Sequence, residues 1–222
     1  MAKKSILDDI IVQDKSEAAS QEDDTLDPLL KEIDSISDES IRSFVRATLL
    51  KAELFWITPS GHSVLDTAPD EHGPGGNVLH TKRMVRVAEE LCKSYSVTEE
   101  ERDCVIAACL LHGVTKYFED SSGQLCYNSM HAYTVGPFVV SCIESDKEIG
   151  NDAFSSTLFI GEESVQTILR LIRCHMGPWS PVPETLPITY LDYIVHIAHN
   201  MSLNIFKIIK DSDLINENCR II

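Results

Sequence analysis

The chain has 222 residues, 43% of them hydrophobic, and a formal net charge of −16. That is length and apolar content for about one domain with its own core. The acidic excess excludes a general nucleic-acid footprint, since phosphate backbones require basic surfaces, and no run of 18 apolar residues is present to span a membrane.

Residues 1–40 hold 12 acids and 4 bases. Residues 1–25 surround the short apolar set Ile6, Leu7, Ile10, Ile11 and Val12 with polar and acidic groups. They read as a flexible acidic extension, available as an arm for a protein partner. From Leu26 the pattern turns helical, and residues 26–53 are expected to form helices that pack on a domain over 54–215. Leu29, Leu30, Ile33 and Ile36 recur at spacings of three and four. Asp38 or Ser40 can cap a helix through about Ala52, with Ile41, Phe44, Val45, Leu49 and Leu50 on one side.

Phe55 to Asn77 reads as loop, broken by prolines and glycines, with His72 exposed. A helix is predicted from about Val78 to Tyr95. Thr98, with Glu101 three residues on, makes a capping box for the next helix, which ends at His112. Residues 118–127 read as a polar loop. A helix starting near Ser129 should be broken or kinked at Gly136-Pro137 and continue from Phe138 to about Glu144. Further helices are predicted over 162–175 and 187–209. The fold class is all-α, a compact helical bundle.

Seven cysteines are scattered, with no C-x-x-C pair, so a cysteine zinc site is not expected, while reduced, mostly buried thiols of a cytoplasmic protein are. The start, Met1 to Leu7, offers no apolar stretch long enough for a secretory signal. The end, Cys219-Arg220-Ile221-Ile222, is apolar enough to be covered by another chain.

The chemistry concentrates in histidines. His80 opens a helix after the glycine-rich loop Gly73-Pro74-Gly75-Gly76, His112 closes one, and His175 precedes Met176-Gly177-Pro178-Trp179. Helix ends that share a cleft are where a bundle can build a metal site. Lys116, about a turn past His112, is suited to phosphate as a compact charge. Lys82 and Arg83 follow His80. Arg170 and Arg173 share a helix face before His175, and at least one should form a salt bridge. Trp179 offers a flat ring for stacking on a base. Asp192 shares a face with His196 and His199 and is read as a surface partner of His196, the alternative being a carboxylate turned toward the histidines.

Two stretches carry a resemblance. His80-Thr81-Lys82-Arg83-Met84 is similar to the first histidine motif of the HD superfamily of metal-dependent phosphohydrolases, and Leu110-Leu111-His112-Gly113-Val114-Thr115-Lys116 resembles its second. Val195-His196-Ile197-Ala198-His199 resembles the stretch that carries the family's last aspartate. The likeness spans about residues 50–210. At its two aspartate positions this chain has Gly113 and His199. The resemblance implies an HD-like all-α fold, a divalent metal, and hydrolysis of a nucleotide or related phosphoester. It also implies that His131 and His175 contact phosphate or a second metal and, with Lys116, form the catalytic set.

Two outcomes follow from the replaced positions. His80, His112 and His199 can form a neutral three-histidine site that suits zinc or another transition metal better than magnesium. Alternatively, the histidines serve a metal-free, phosphate-binding or protein-interaction module without turnover.

Overall fold

The computed structural model describes residues 24–61, 67–149 and 161–210. Nearly all of the acidic extension, and the apolar end at Cys219–Ile222, lie outside them. Among the described residues the architecture is all-α apart from one small hairpin.

The N-terminal segment runs through a short 3-10 turn, Asp27–Leu29, into α1 (Leu30–Asp34) and α2 (Glu39–Lys51). Asp38 caps α2: its Oδ1 accepts from Ser40 N at 2.8 Å and Ile41 N at 2.9 Å. That satisfies amide groups which have no partner within the helix. The same turn is pinned to the next layer by Asp103, a buried residue whose Oδ2 accepts from Ser37 N and Asp38 N. Leu26, Leu29, Ile33, Ile36, Phe44, Val45 and Leu49 join one continuous core with the later helices.

The stretch expected as loop after Phe55 holds more structure than its prolines and glycines suggest. Helix α3 (Glu53–Ile57) and a 3-10 turn over Pro69–Glu71 lie in or beside it, and His72 is half-buried rather than exposed, its Nε2 3.1 Å from Thr67 O. Tertiary contacts stabilise these short turns, which lack the length for a periodic sequence signal.

Helices α4 (Gly76–Tyr95) and α5 (Glu99–Leu111) follow. The predicted capping box is present: Thr98 Oγ1 accepts from Glu101 N, and the Glu101 carboxylate accepts from Thr98 N at 2.9 Å. Residues 103–111 of α5 are buried all round, so this helix is the centre of the bundle rather than a surface helix with one apolar stripe. Its neighbours are α2, α4, α7 (Glu162–Cys174) and α8 (Tyr190–Lys210).

Two expectations need correction. The polar loop over 118–127 is a hairpin, in which β1 (Tyr117–Glu119) pairs antiparallel with β2 (Leu125–Tyr127), Phe118 opposite Cys126. Its turn is closed by Asp120 Oδ1, which accepts from Ser122 N and Gln124 N, and by Gly123 at φ +79°. Three-residue strands leave no alternation to read. Gly136-Pro137 does not break its helix: α6 runs continuously from His131 to Ile149. The lost backbone hydrogen bond is outweighed by burial, since Val135 and Val139 insert into the core, and Gly136 allows close approach of Leu169 on α7.

Cys92, Cys104, Cys109 and Cys174 are buried, and burial raises each thiol's pKa. These thiols are packing groups. No described helix is long and apolar enough to cross a membrane.

Candidate metal centre

Five histidines converge from five elements. His80 stands on α4, His112 directly follows α5, His131 opens α6, His175 directly follows α7, and His199 lies on α8. His80, His112 and His175 are fully buried, and His199, at 8% exposure, is the most open of the five. Ring centroids lie 5.2 Å apart for His80–His112, 5.3 Å for His80–His199, 4.5 Å for His175–His199 and 5.1 Å for His131–His175. One ring nitrogen from each of His80, His112 and His199 lies within 4.8 Å of the others.

Backbone carbonyls set the proton positions. The Nδ1–H of His112 donates to Cys109 O at 2.7 Å, that of His131 to Asn128 O at 3.1 Å, and that of His175 to Ile172 O at 2.6 Å. A carbonyl only accepts, so each neutral ring carries its proton on Nδ1 and presents a lone pair at Nε2. His80 is oriented the same way, with Nδ1 3.4 Å from Ser202 Oγ and 3.7 Å from the Glu71 carboxylate. This is how a histidine is prepared for a metal: one nitrogen anchored, the other basic. The inward nitrogens, His80 Nε2 and His112 Nε2, are buried without a hydrogen-bond partner. A buried lone pair left unmatched costs free energy, and a cation is what it fits.

Burial is also the first cause that holds every ring neutral. It lowers the pKa of His80, His112, His131 and His199 well below the ordinary value, and that of His175 to about 4. Lys116 adds to this. The residue is 3% exposed, its charge lowers the pKa of all five histidines, and burial brings its own pKa down to about 8.

A family model described as HD domain matches residues 78–202. The chain belongs to the HD domain family. The matched span starts just before His80 and ends just after His199, so it contains all five histidines and Lys116. HD domains form a metal-dependent phosphohydrolase-like family, and the three-histidine group fits the divalent ion such domains hold. No curated protein and no solved structure matches the chain.

The remaining candidates separate. Lys82 donates to Pro28 O at 2.7 Å and lies 3.9 Å from Glu32, so its charge serves the N-terminal segment. Arg83 grips Asp70 and Glu71. Arg170 forms the expected salt bridge, to Asp192, while Arg173 is exposed beside Gly136. Trp179 is 65% exposed and its ring centroid lies 5.8 Å from that of His196. The expected Asp192–His196 surface pair does not form. Asp192 is buried, and its Oδ2 accepts from Ile188 N and Thr189 N at the start of α8, where free amides attract a carboxylate. His196 donates instead through Nδ1 to His175 O at 2.9 Å.

Sequence reasoning missed Glu71 and Asn77. Glu71 is fully buried, held by Arg83 and by Ser60 Oγ at 2.8 Å, and faces His80. Asn77, in the first turn of α4, is fully buried against Gly113. The available signal for Asn77 was its place one turn before His80 on the same helix face.

Proposed function

We propose that this HD domain holds one divalent transition metal, zinc in preference to magnesium, at His80, His112 and His199, and hydrolyses a nucleotide or another small phosphoester there. The observation that carries the reading is the pair of buried, partnerless Nε2 atoms on His80 and His112, whose opposite nitrogens are already anchored. Neutral nitrogen donors suit zinc and its neighbours, while magnesium favours oxygen ligands. When bound, such an ion supplies a Lewis acid that lets water act as a nucleophile near neutral pH.

The chain's own residues do the rest. Lys116 offers a compact positive charge to a phosphoryl oxygen, and its low exposure strengthens that contact. His131 and His175, anchored through Nδ1 and with their Nε2 atoms 3.2 Å apart, form a pair able to take one proton from water between them. Arg173 and Trp179, both exposed close to His175 in sequence, can hold the outer part of a substrate, with Trp179 stacking on a base. His199 is the least buried histidine of the five, so substrate approaches over its side of the cluster.

A second reading draws on Lys116. A cation already placed among neutral histidines can hold a phosphate without a metal, and the domain then binds without turnover. Elemental mass spectrometry on untagged protein, with a phosphoester screen on the natural chain and His112→Ala, separates the two. Close to one transition metal per chain and hydrolysis, both lost in His112→Ala, are expected. A chain that takes up no metal yet binds nucleotide in the presence of a chelator overturns the hydrolase reading in favour of the second.

A further inference from the structure

Gly113 is glycine for lack of room. Its backbone does not occupy the left-handed region, as Gly75, Gly123 and Gly177 do. A Cβ built on it meets Asn77 Oδ1 at 2.6 Å, and Asn77 Cγ and Nδ2 at 3.2 Å. The carboxamide of Asn77 therefore stands where a side chain at position 113 would begin. Asn77 Nδ2 donates to Gly113 O at 3.0 Å, which fixes the amide plane. Asn77 Oδ1 is buried and has no hydrogen-bond partner.

Three of the buried atoms without a partner, Asn77 Oδ1, His80 Nε2 and His112 Nε2, stand on residues joined by contact or by sequence: Asn77 meets Gly113, and the His80 and His112 rings lie 5.2 Å apart. Asn77 and His80 are three residues apart on α4 and share a face, while Gly113 is covalently next to His112. An amide oxygen left unmatched inside a protein is costly. Its nitrogen donates to a backbone carbonyl, which can only accept, so flipping the amide would set two oxygens against each other and does not remove the problem. A cation shared with the two ring nitrogens does.

We propose that Asn77 Oδ1 is the oxygen donor of the histidine site, supplied from α4 into the space that Gly113 leaves. The inference rests on the metal reading above and deepens it: the site takes three nitrogens and one neutral oxygen. On the family resemblance, the position of Gly113 is where an aspartate would donate. Here the donor comes from another helix and carries no charge. The ion thereby keeps its full dication charge toward an anionic phosphoester, and the oxygen broadens the site from zinc toward cobalt.

The test uses the full chain stripped with chelator, titrated with Zn²⁺ and with Co²⁺ by calorimetry and by cobalt visible absorption. Natural protein, Asn77→Ala, Asn77→Leu and His112→Ala are compared, with circular dichroism as a check on folding. His112→Ala should lose binding. Both Asn77 variants should stay folded, bind each ion about tenfold or more weakly, and show an altered cobalt band. The double variant Gly113→Asp with Asn77→Ala should regain affinity, because the space then admits a carboxylate, and should add binding of Mn²⁺. Unchanged affinity and cobalt spectrum in Asn77→Ala and Asn77→Leu, with His112→Ala still defective, overturn the role of Asn77 and leave the three-histidine site standing. A natural chain that binds neither ion overturns the metal reading itself, and this inference with it. If Asn77→Ala unfolds, Asn77→Leu and the double variant still decide the matter.

Discussion

The two sides of the histidine cluster differ in what their inward nitrogens meet. On the side of His80 and His112, two Nε2 lone pairs are buried with nothing opposite them. On the side of His131 and His175, two Nε2 atoms stand 3.2 Å apart and face each other. Both sides are built alike, with Nδ1–H anchored to backbone carbonyls or, for His80, to Ser202. The first arrangement is relieved by a cation that several atoms can share. The second is relieved by a single proton between the rings, or by a substrate oxygen that brings one. On the proposed reading, one side binds the metal and the other handles a proton.

The largest effect should come from breaking the first side. His112→Ala removes a donor and should weaken Zn²⁺ binding by at least about 100-fold, more than loss of an outer partner would. His131→Ala should leave one ion per chain and change affinity less than about tenfold. Metal content and calorimetry check both. Equal loss in the two variants would mean that the five rings act as one site and the division fails.

Acid should act next. Each ring is held neutral in the fold, with burial the leading cause, so its folded pKa lies below the unfolded value near 6.5. As pH falls through 6.5 the unfolded chain takes up protons that the folded chain refuses, so stability is full above that pH and is lost below it, down to the folded pKa of about 4 for His175. For His175 this is up to about 1.4 kcal/mol per pH unit over that window, and the other rings act in the same direction. Denaturant unfolding of chelated protein between pH 7 and 5 should show this slope. His112→Gln should remove one ring's share. His131→Gln should remove less if His131 and His175 already hold a proton between them, and an equal loss would show that they do not.

Much of this was legible in the sequence. The apolar spacing of residues 26–52, the Thr98–Glu101 box and the all-apolar run into His112 each have a period or a cap that physics makes readable. So do histidines at helix ends, where the bundle turns them inward. The hairpin over 117–127 was not, because three-residue strands carry no period, nor was the unbroken helix through Pro137, because burial of Val135 and Val139 decides it. Lys82 illustrates a further limit. Its neighbour in sequence, His80, points into the cluster, while Lys82 turns to Pro28, more than 50 residues away in the chain. The oxygen groups of the site were hidden for the same reason. Glu71 sits in a loop of turn-forming residues, and Asn77 gains meaning only when Gly113 is brought against it.

The smallest effect is expected at Glu71. Its carboxylate lies on the outer nitrogen of His80 and is itself gripped by Arg83 and Ser60. A carboxylate there raises the basicity of the opposite nitrogen and fixes the ring, without touching an ion. Glu71→Gln keeps the shape and the Ser60 contact but removes the charge. It should weaken Zn²⁺ binding about tenfold, leave the ion count at one, and leave untouched any proton shared by His131 and His175. Glu71→Asp should recover part of the loss, since a charge returns at slightly longer reach. Arg83 lies partly in solvent and keeps Asp70, so the fold should survive the change. A loss of stability without a loss of affinity would make Glu71 a partner of Arg83 alone. A loss of affinity in Glu71→Gln that Glu71→Asp restores makes it the residue that positions His80.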